Sequence, residues 1–215
     1  MCAAVRWYRH EPDPAEGKKT GEKENRMAEQ APISENVSPD EFFEQLLPMG
    51  FAAQAQEGNA PQDLSLQFRL TGDSGGEWAI AISGGAMTAR KGSGDAHLTM
   101  TLSVDDWRDA VLGRNGAALG LIIPPRRPGR PDNSARVKTI KGTLALELAR
   151  EGKEPFKLEM CFNNAATPRT VLRMKIEEHL ALLEGRLNGQ EAFMTGKLRV
   201  EGDLAFLMQI ATLNA

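Results

Sequence analysis

Residues 64–112 read LSLQFRLTGDSGGEWAIAISGGAMTARKGSGDAHLTMTLSVDDWRDAVL, and their patterning decides the fold class. Leu64, Leu66, Phe68 and Leu70 alternate with Ser65, Gln67 and Arg69, the two-residue period by which a strand turns one row to a core and the next to solvent. Gly72 to Gly76 is a turn cluster and reads as a hairpin connection. Glu77 to Ser83 resumes the alternation with Trp78, Ile80 and Ile82, and Ala86 to Lys91 and His97 to Ser103 follow, the last with Leu98, Met100 and Leu102 on one face. The expectation is an antiparallel meander. Ser103 then suits the N-cap of a helix over 104–112, with Asp105 and Asp106 favoured by the helix dipole and Gly113 as terminator. Trp107 and Val111 share its buried stripe.

Upstream, Ser38, Pro39 and Glu41 open a helix as N-cap, first-turn proline and capping-box acid, and Pro48 is expected to kink or end it. Residues 1–37, rich in Glu, Lys, Pro and Gly, are expected to form a disordered leader, because few large apolar groups are present to offset the entropy of ordering. Downstream, PPRRPGRPDNSAR, beginning at Pro124, is a loop by composition. Beyond it, alternation resumes over 137–148 and 156–162, and a strand over 170–176 runs into a helix over 177–185. The two halves share an order: HLTMTLSVDDWRDAVLGR and VLRMKIEEHLALLEGR are each a strand passing straight into a helix, and each follows an alternating hairpin. The reading is one domain, 38–215, built of degenerate half-repeats 62–120 and 136–213 joined by a Pro/Arg-rich loop, 124–135.

The second half ends NGQEAFMTGKLRVEGDLAFLMQIATL, residues 188–213. In the positions of Asn188, Gln190, Ala192, Phe193, Gly196, Lys197, Leu198, Val200 and Gly202 it resembles the C-terminal signature of the sterol carrier protein 2 (SCP2) family. GEWAIAISGGAMTARKGSGDAHLTMTLSVDDWRDAVLG is similar to that family's Trp-bearing strand, hairpin and strand–helix unit. Gly189 stands where the family turn has Pro, Thr195 where some members carry Gln, and residues from Gly116 to Arg169 intervene in what is a continuous domain in the family. The resemblance implies an α+β fold, an antiparallel or mixed sheet covered on one face by helices. It further implies non-catalytic binding and intracellular transfer of a lipid or other apolar small molecule in a hydrophobic tunnel. Trp107, Val111, Phe193, Leu198, Leu204, Leu207 and Met208 are the expected lining, with Thr195 as a polar contact. The last helix, LAFLMQIATL, has no wide polar face, which fits either a packed terminal helix or a cavity wall. Six methionines in or beside core elements fit gap-filling or an adaptable ligand surface.

Other chemistry is poorly supplied. The three histidines lack a second His or Cys at metal-ligand spacing, and His179 beside Glu178 reads as a solvated pair. With no nucleophile elbow and glycine pairs placed at hairpin turns, the expectation is a non-enzyme without cofactor or metal. A formal charge of −3 argues against nucleic acid as a partner. Arg126, Arg127 and Arg130 read first as a solvated loop and second as a contact for anionic headgroups, a transient membrane surface. Cys2 and Cys161 read as free thiols, and with no secretory signal or spanning run the expected location is cytoplasmic. Sterol, fatty acyl thioester, phospholipid, hopanoid and quinone all suit an apolar tunnel. The alternative is an accessory or scaffold protein for a lipid-pathway enzyme complex.

Overall fold

The computed structural model describes residues 33–53, 63–123 and 133–213. Eight strands form a single mixed sheet: β1 (Leu64–Thr71), β2 (Gly76–Ser83), β3 (Ala86–Lys91), β4 (Leu98–Ser103), β5 (Gly142–Arg150), β6 (Lys153–Phe162), β7 (Arg169–Lys175) and β8 (Arg199–Gly202), in the order β3-β2-β1-β4-β6-β5-β7-β8. One apolar row crosses six strands in register, Trp78, Phe68, Met100, Met160, Leu144 and Thr170, the last the polar member. On the opposite face, the ion pairs Arg69–Glu77, Arg169–Glu159 and Arg173–Glu147 lie largely in solvent.

The expected meander holds only for β1, β2 and β3. β4 lies on the far side of β1 and parallel to it, and β7 likewise lies parallel to β5. The physical device is a strap across the polar face. Residues 92–96 cross back over the first hairpin and are tied down by Gln67, whose Oε1 accepts from Gly94 N at 2.9 Å and whose Nε2 donates to the Gly92 carbonyl at 3.4 Å. In the second half, Thr143 N–H donates to the Pro168 carbonyl and its hydroxyl to the Ala165 carbonyl, at 2.8 and 3.0 Å. Gln67 and Thr143 are therefore buried polar residues with satisfied partners on an otherwise solvated face.

The helices cover the apolar face. α1 (Pro39–Glu41), capped by the Ser38 hydroxyl, widens into a π-helical turn over Phe42–Leu46 before α2 (Leu47–Ala53). Pro48 does not end the helix. Its ring cannot coexist with an α-type carbonyl four residues back, and the wide turn just before it relieves that clash. Ile33 to Val37, expected within the disordered leader, are part of the packed structure, because Val37 is buried in the core; residues 1–32 lie outside the described residues. α3 (Val104–Leu112) is capped by the Ser103 hydroxyl and by left-handed Gly113. A short 3-10 turn (Leu119–Leu121) follows, and α4 (Ser134–Val137) replaces the loop and strand start expected there. α5 (Ile176–Leu183), α6 (Gly189–Met194) and α7 (Leu204–Ala211) complete the layer.

Both halves contain a hairpin, a later strand parallel to its first member and then a helix, but the first half carries an extra strand, β3, between hairpin and parallel strand that the second lacks. The halves are tied by a buried ion cluster. Arg150, at the end of β5, has its side chain 3% exposed and reaches into the first half, donating to Asp106 Oδ1 and Asp109 Oδ2 of α3, each at 2.8 Å. Lys153 also bonds Asp109, Asn115 donates to its other oxygen at 3.0 Å, and Phe156 lies 5.7 Å beneath the guanidinium. Because Asp109 keeps Lys153 and Asn115 but Asp106 would be left buried without a cation, Arg150→Met is predicted to lower unfolding free energy by about 3–5 kcal/mol. Urea denaturation at neutral pH checks this; a loss below about 1 kcal/mol would mean that the cluster behaves as an exposed pair.

Candidate functional site

The last 26 residues of the described chain are positioned by short-range chemistry that can be followed residue by residue. Asn188 Oδ1 caps α6, accepting from Gln190 N at 2.8 Å and Glu191 N at 3.3 Å. Buried Ala192 and Leu198 pin the turn after it, with Leu198 N donating to the Ala192 carbonyl at 2.9 Å. At the end of β8, Gly202 has φ +112°, and a Cβ there would stand 2.2 Å from the Arg169 carbonyl oxygen, so only glycine fits. Asp203 caps α7 through Phe206 N at 2.8 Å, while its own carbonyl accepts from the Thr170 hydroxyl at 2.7 Å. Phe206 and Ile210 point inward, and the Phe206 ring meets Phe162 edge-on and occupies the space that a side chain on Gly142 would need.

The outward side is unusual. Phe193 is 52% exposed, Met194 77%, Leu204 57% and Met208 67%, and these are four of the five large hydrophobic residues exposed among the described residues, Met49 being the fifth. Two open hollows border them. One, of about 430 Å³, is lined by Asn188, Gln190, Glu191, Met194 and Thr195; the other, of about 470 Å³, lies between Arg136, Thr139 and Ile140 on one side and Ala205, Met208, Gln209 and Thr212 of the last helix on the other.

Residues 125–214 match the SCP-2 sterol transfer family. The SCP-2 match therefore takes in α4 to α7 and β5 to β8, and the first half lies outside it. No curated protein matches the chain. Among solved structures, a double mutant of the sec-alkyl sulfatase PisA1 and the stereoselective inverting sec-alkylsulfatase Pisa1 from Pseudomonas sp. are each 14% identical. They align with 83% and 80% of this chain at TM-scores of 0.28 and 0.27, and the chain spans 16% of the length of each. A likeness at that level assigns neither fold nor activity.

The structure divides the expected lining residues into two groups. Phe193, Thr195, Leu198, Leu204, Leu207 and Met208 all fall in the SCP-2 segment, where Thr195 borders the first hollow and Met208 the second. Thr195 spends its hydroxyl on the Glu191 carbonyl, at 2.7 Å. Leu198 is core rather than surface, and Leu207 is half-buried. Trp107 and Val111 belong instead to the core of the first half, where the Trp107 ring lies 5.6 Å from Phe42 and 6.2 Å from Phe43. Its Nε1 is buried without a partner. Arg126, Arg127 and Arg130 lie outside the described residues. Sequence reasoning missed Arg136, Thr139 and Ile140, which reach the last helix only through the fold: Asn133 Nδ2 donates to the Leu213 carbonyl and Arg136 Nη1 to that of Thr212, at 2.6 and 2.8 Å. No local pattern marks a contact of that sequence separation. Met194 and Ala205 were within reach, as immediate neighbours of expected residues.

Two histidines complete the chemical inventory. His97 Nδ1 lies 2.7 Å from the Ser65 hydroxyl and also accepts from Ser65 N at 3.1 Å, while His97 N donates to the Ser65 hydroxyl oxygen and main-chain carbonyl. The lone pair a general base would use is thus engaged by a backbone amide, and no carboxylate orients the ring among the described residues, so the pair acts as a clasp between β1 and β4. Nor does any group of three or more His, Cys, Asp or Glu suited to a metal occur among those residues. His179 is not a solvated partner of Glu178, whose carboxylate accepts from Lys175 N at 3.4 Å. Instead its Nδ1 is buried without a partner, and burial pushes its pKa down to about 4. The unfolded chain takes up this proton near pH 6.5 and the folded one near 4, so the contribution is complete above 6.5 and is lost as pH falls through that window. His179→Leu is predicted to flatten the stability profile there by about 2–3 kcal/mol relative to the parent. Denaturation midpoints at a series of pH values decide it, and parallel profiles for the two proteins would refute it.

Proposed function

We propose that the protein binds one lipid or other apolar molecule and transfers or presents it inside the cell without covalent chemistry. The observation that carries this is a coincidence of place: Phe193, Met194, Leu204 and Met208 leave their side chains exposed within residues 125–214, the segment that matches the SCP-2 sterol transfer family. Apolar area of this kind gains about 25 cal/mol per Å² when covered, and shape and area would supply most of the affinity. Phe206 and Ile210 beneath it belong to the continuous core, so a tunnel would form by α7 moving off β7 to admit the ligand. Leu207, half-buried at the boundary, would then meet the ligand. A cytoplasmic location suits this reading, since Cys161 is a free thiol and no helix among the described residues is long and apolar enough to cross a membrane. The common connectivity of the two halves supports a further proposal, that the first half is a degenerate copy whose own interior has filled with Phe42, Phe43 and Trp107.

A second reading is an accessory protein that presents the same face to a lipid-pathway enzyme. It is favoured by the open form of both hollows and the packed state of the core around Trp107. Native mass spectrometry of the protein purified from cells, followed by lipid extraction, separates the two. The carrier reading expects a co-purifying lipid, displacement of a fluorescent fatty acyl or sterol probe, and lower probe capacity in Leu207→Trp. A clean ligand-free mass with no probe displacement would overturn it in favour of the accessory role.

A further inference from the structure

From Leu204 to Leu213 the chain carries no charged side chain. Leu204 and Met208 stand one turn apart on the outer side of α7, with Ala205 and Ala211 exposed beside them, and Phe206 and Ile210 hold the opposite side in the core. Alongside runs the segment 133–141, NSARVKTIK, which has three basic residues and no acidic one in a protein whose net charge is −3. Arg136 and Lys141 are exposed and Lys138 is partly so. Segment and helix share the second hollow and are bonded at the helix's C-terminal end through Asn133 and Arg136. The adjoining acid, Asp203, is engaged as the cap of α7.

An uncharged apolar helix face beside a basic segment has the chemistry of an interfacial contact: apolar side chains enter the boundary between headgroups and acyl chains while basic ones meet anionic headgroups. A second copy fits less well. A two-fold interface on this face would have to be self-complementary, yet neither residues 133–141 nor 204–213 contain an Asp or Glu to meet the basic side chains. We propose that α7 and residues 133–141 form a docking surface for an anionic lipid bilayer. The surface shares Leu204 and Met208 with the apolar face on which the proposed function rests, but vesicle flotation reads it without a carried ligand, so the two can fail separately.

The test is flotation of the full chain with phosphatidylcholine vesicles made with and without phosphatidylglycerol. Binding is expected to need the anionic lipid, to weaken as salt screens the basic segment, and to fall about tenfold or more in Met208→Asp and in Lys141→Glu. Met49→Asp, which adds the same charge at an exposed methionine in the first half, is expected to bind as the parent does. Leu204→Asp reads the same face should Met208→Asp lose its circular dichroism signature. No partitioning of the parent, undiminished binding of Met208→Asp, or equal loss in Met49→Asp would overturn the proposal. So would a dimer in solution that Met208→Asp dissociates, which would assign the face to a second copy.

Discussion

The antiparallel pairing of β4 with β6 is the constraint on which the molecule depends. Leu98 opposes Phe162 and Met100 opposes Met160, and this ladder makes one sheet of two groups of strands that are each otherwise complete. Without it, β4 and β6 would both present open edges bearing large apolar side chains, the condition that leads strands to pair with other molecules. The pairing also determines where the chain's buried charge can be satisfied. Arg150 leaves the end of β5, but its carboxylate partners Asp106 and Asp109 lie on the helix that follows β4. The cluster forms only when the halves are joined, so the ladder and the ion cluster report the same event.

Joining the halves in this way obliges the connections to cross a face. Each unit places its last strand before the helix parallel to its first, β4 to β1 and β7 to β5, so the chain must pass over at least one strand between them. The helices already occupy the apolar side, and the straps take the other. That choice accounts for polar residues whose burial would otherwise be costly: Gln67 satisfies the strap at Gly92 and Gly94, and Thr143 the strap at Ala165 and Pro168. Thr99 lies in the same row between them and is also buried.

Much of this was legible in the residues. The alternation through Leu64, Leu66, Phe68 and Leu70, and again through Phe156, Leu158, Met160 and Phe162, placed strands and their apolar faces, because a two-residue period has no other structural meaning at that length. Ser103 and Gly113 bounded a helix correctly through caps that act locally. The parallel placement of β4 and β7 was not legible, since a strand's direction relative to its neighbour depends on which side of the sheet the connection crosses, and alternation is the same either way. Nor was the contact of Arg136 with Thr212. Trp107 shows the limit for the site: its position on a helical stripe announced burial, but packed core and cavity wall bury an indole equally, and only the rings of Phe42 and Phe43 reveal which it is.

The unequal packing of the two halves follows from the same geometry. In the first half, the N-terminal helices and α3 meet over β1 and β2, and the aromatic rings of Phe42, Phe43, Phe68, Trp78 and Trp107 fill the space between them. The second half ends the sheet on β8, only four residues long, and α6 and α7 are themselves short. Helices of this length bury one side by resting on Ala192, Phe206 and Ile210, but nothing further in the described chain lies outside them to cover Phe193, Met194, Leu204 and Met208. Covering even one such side chain is worth about 1.5–3 kcal/mol, a gain that the fold itself leaves unrealised. The uncovered apolar area is therefore concentrated at this end of the sheet, within the segment that matches the SCP-2 sterol transfer family, whereas the aromatic rings of the first half lie in the core.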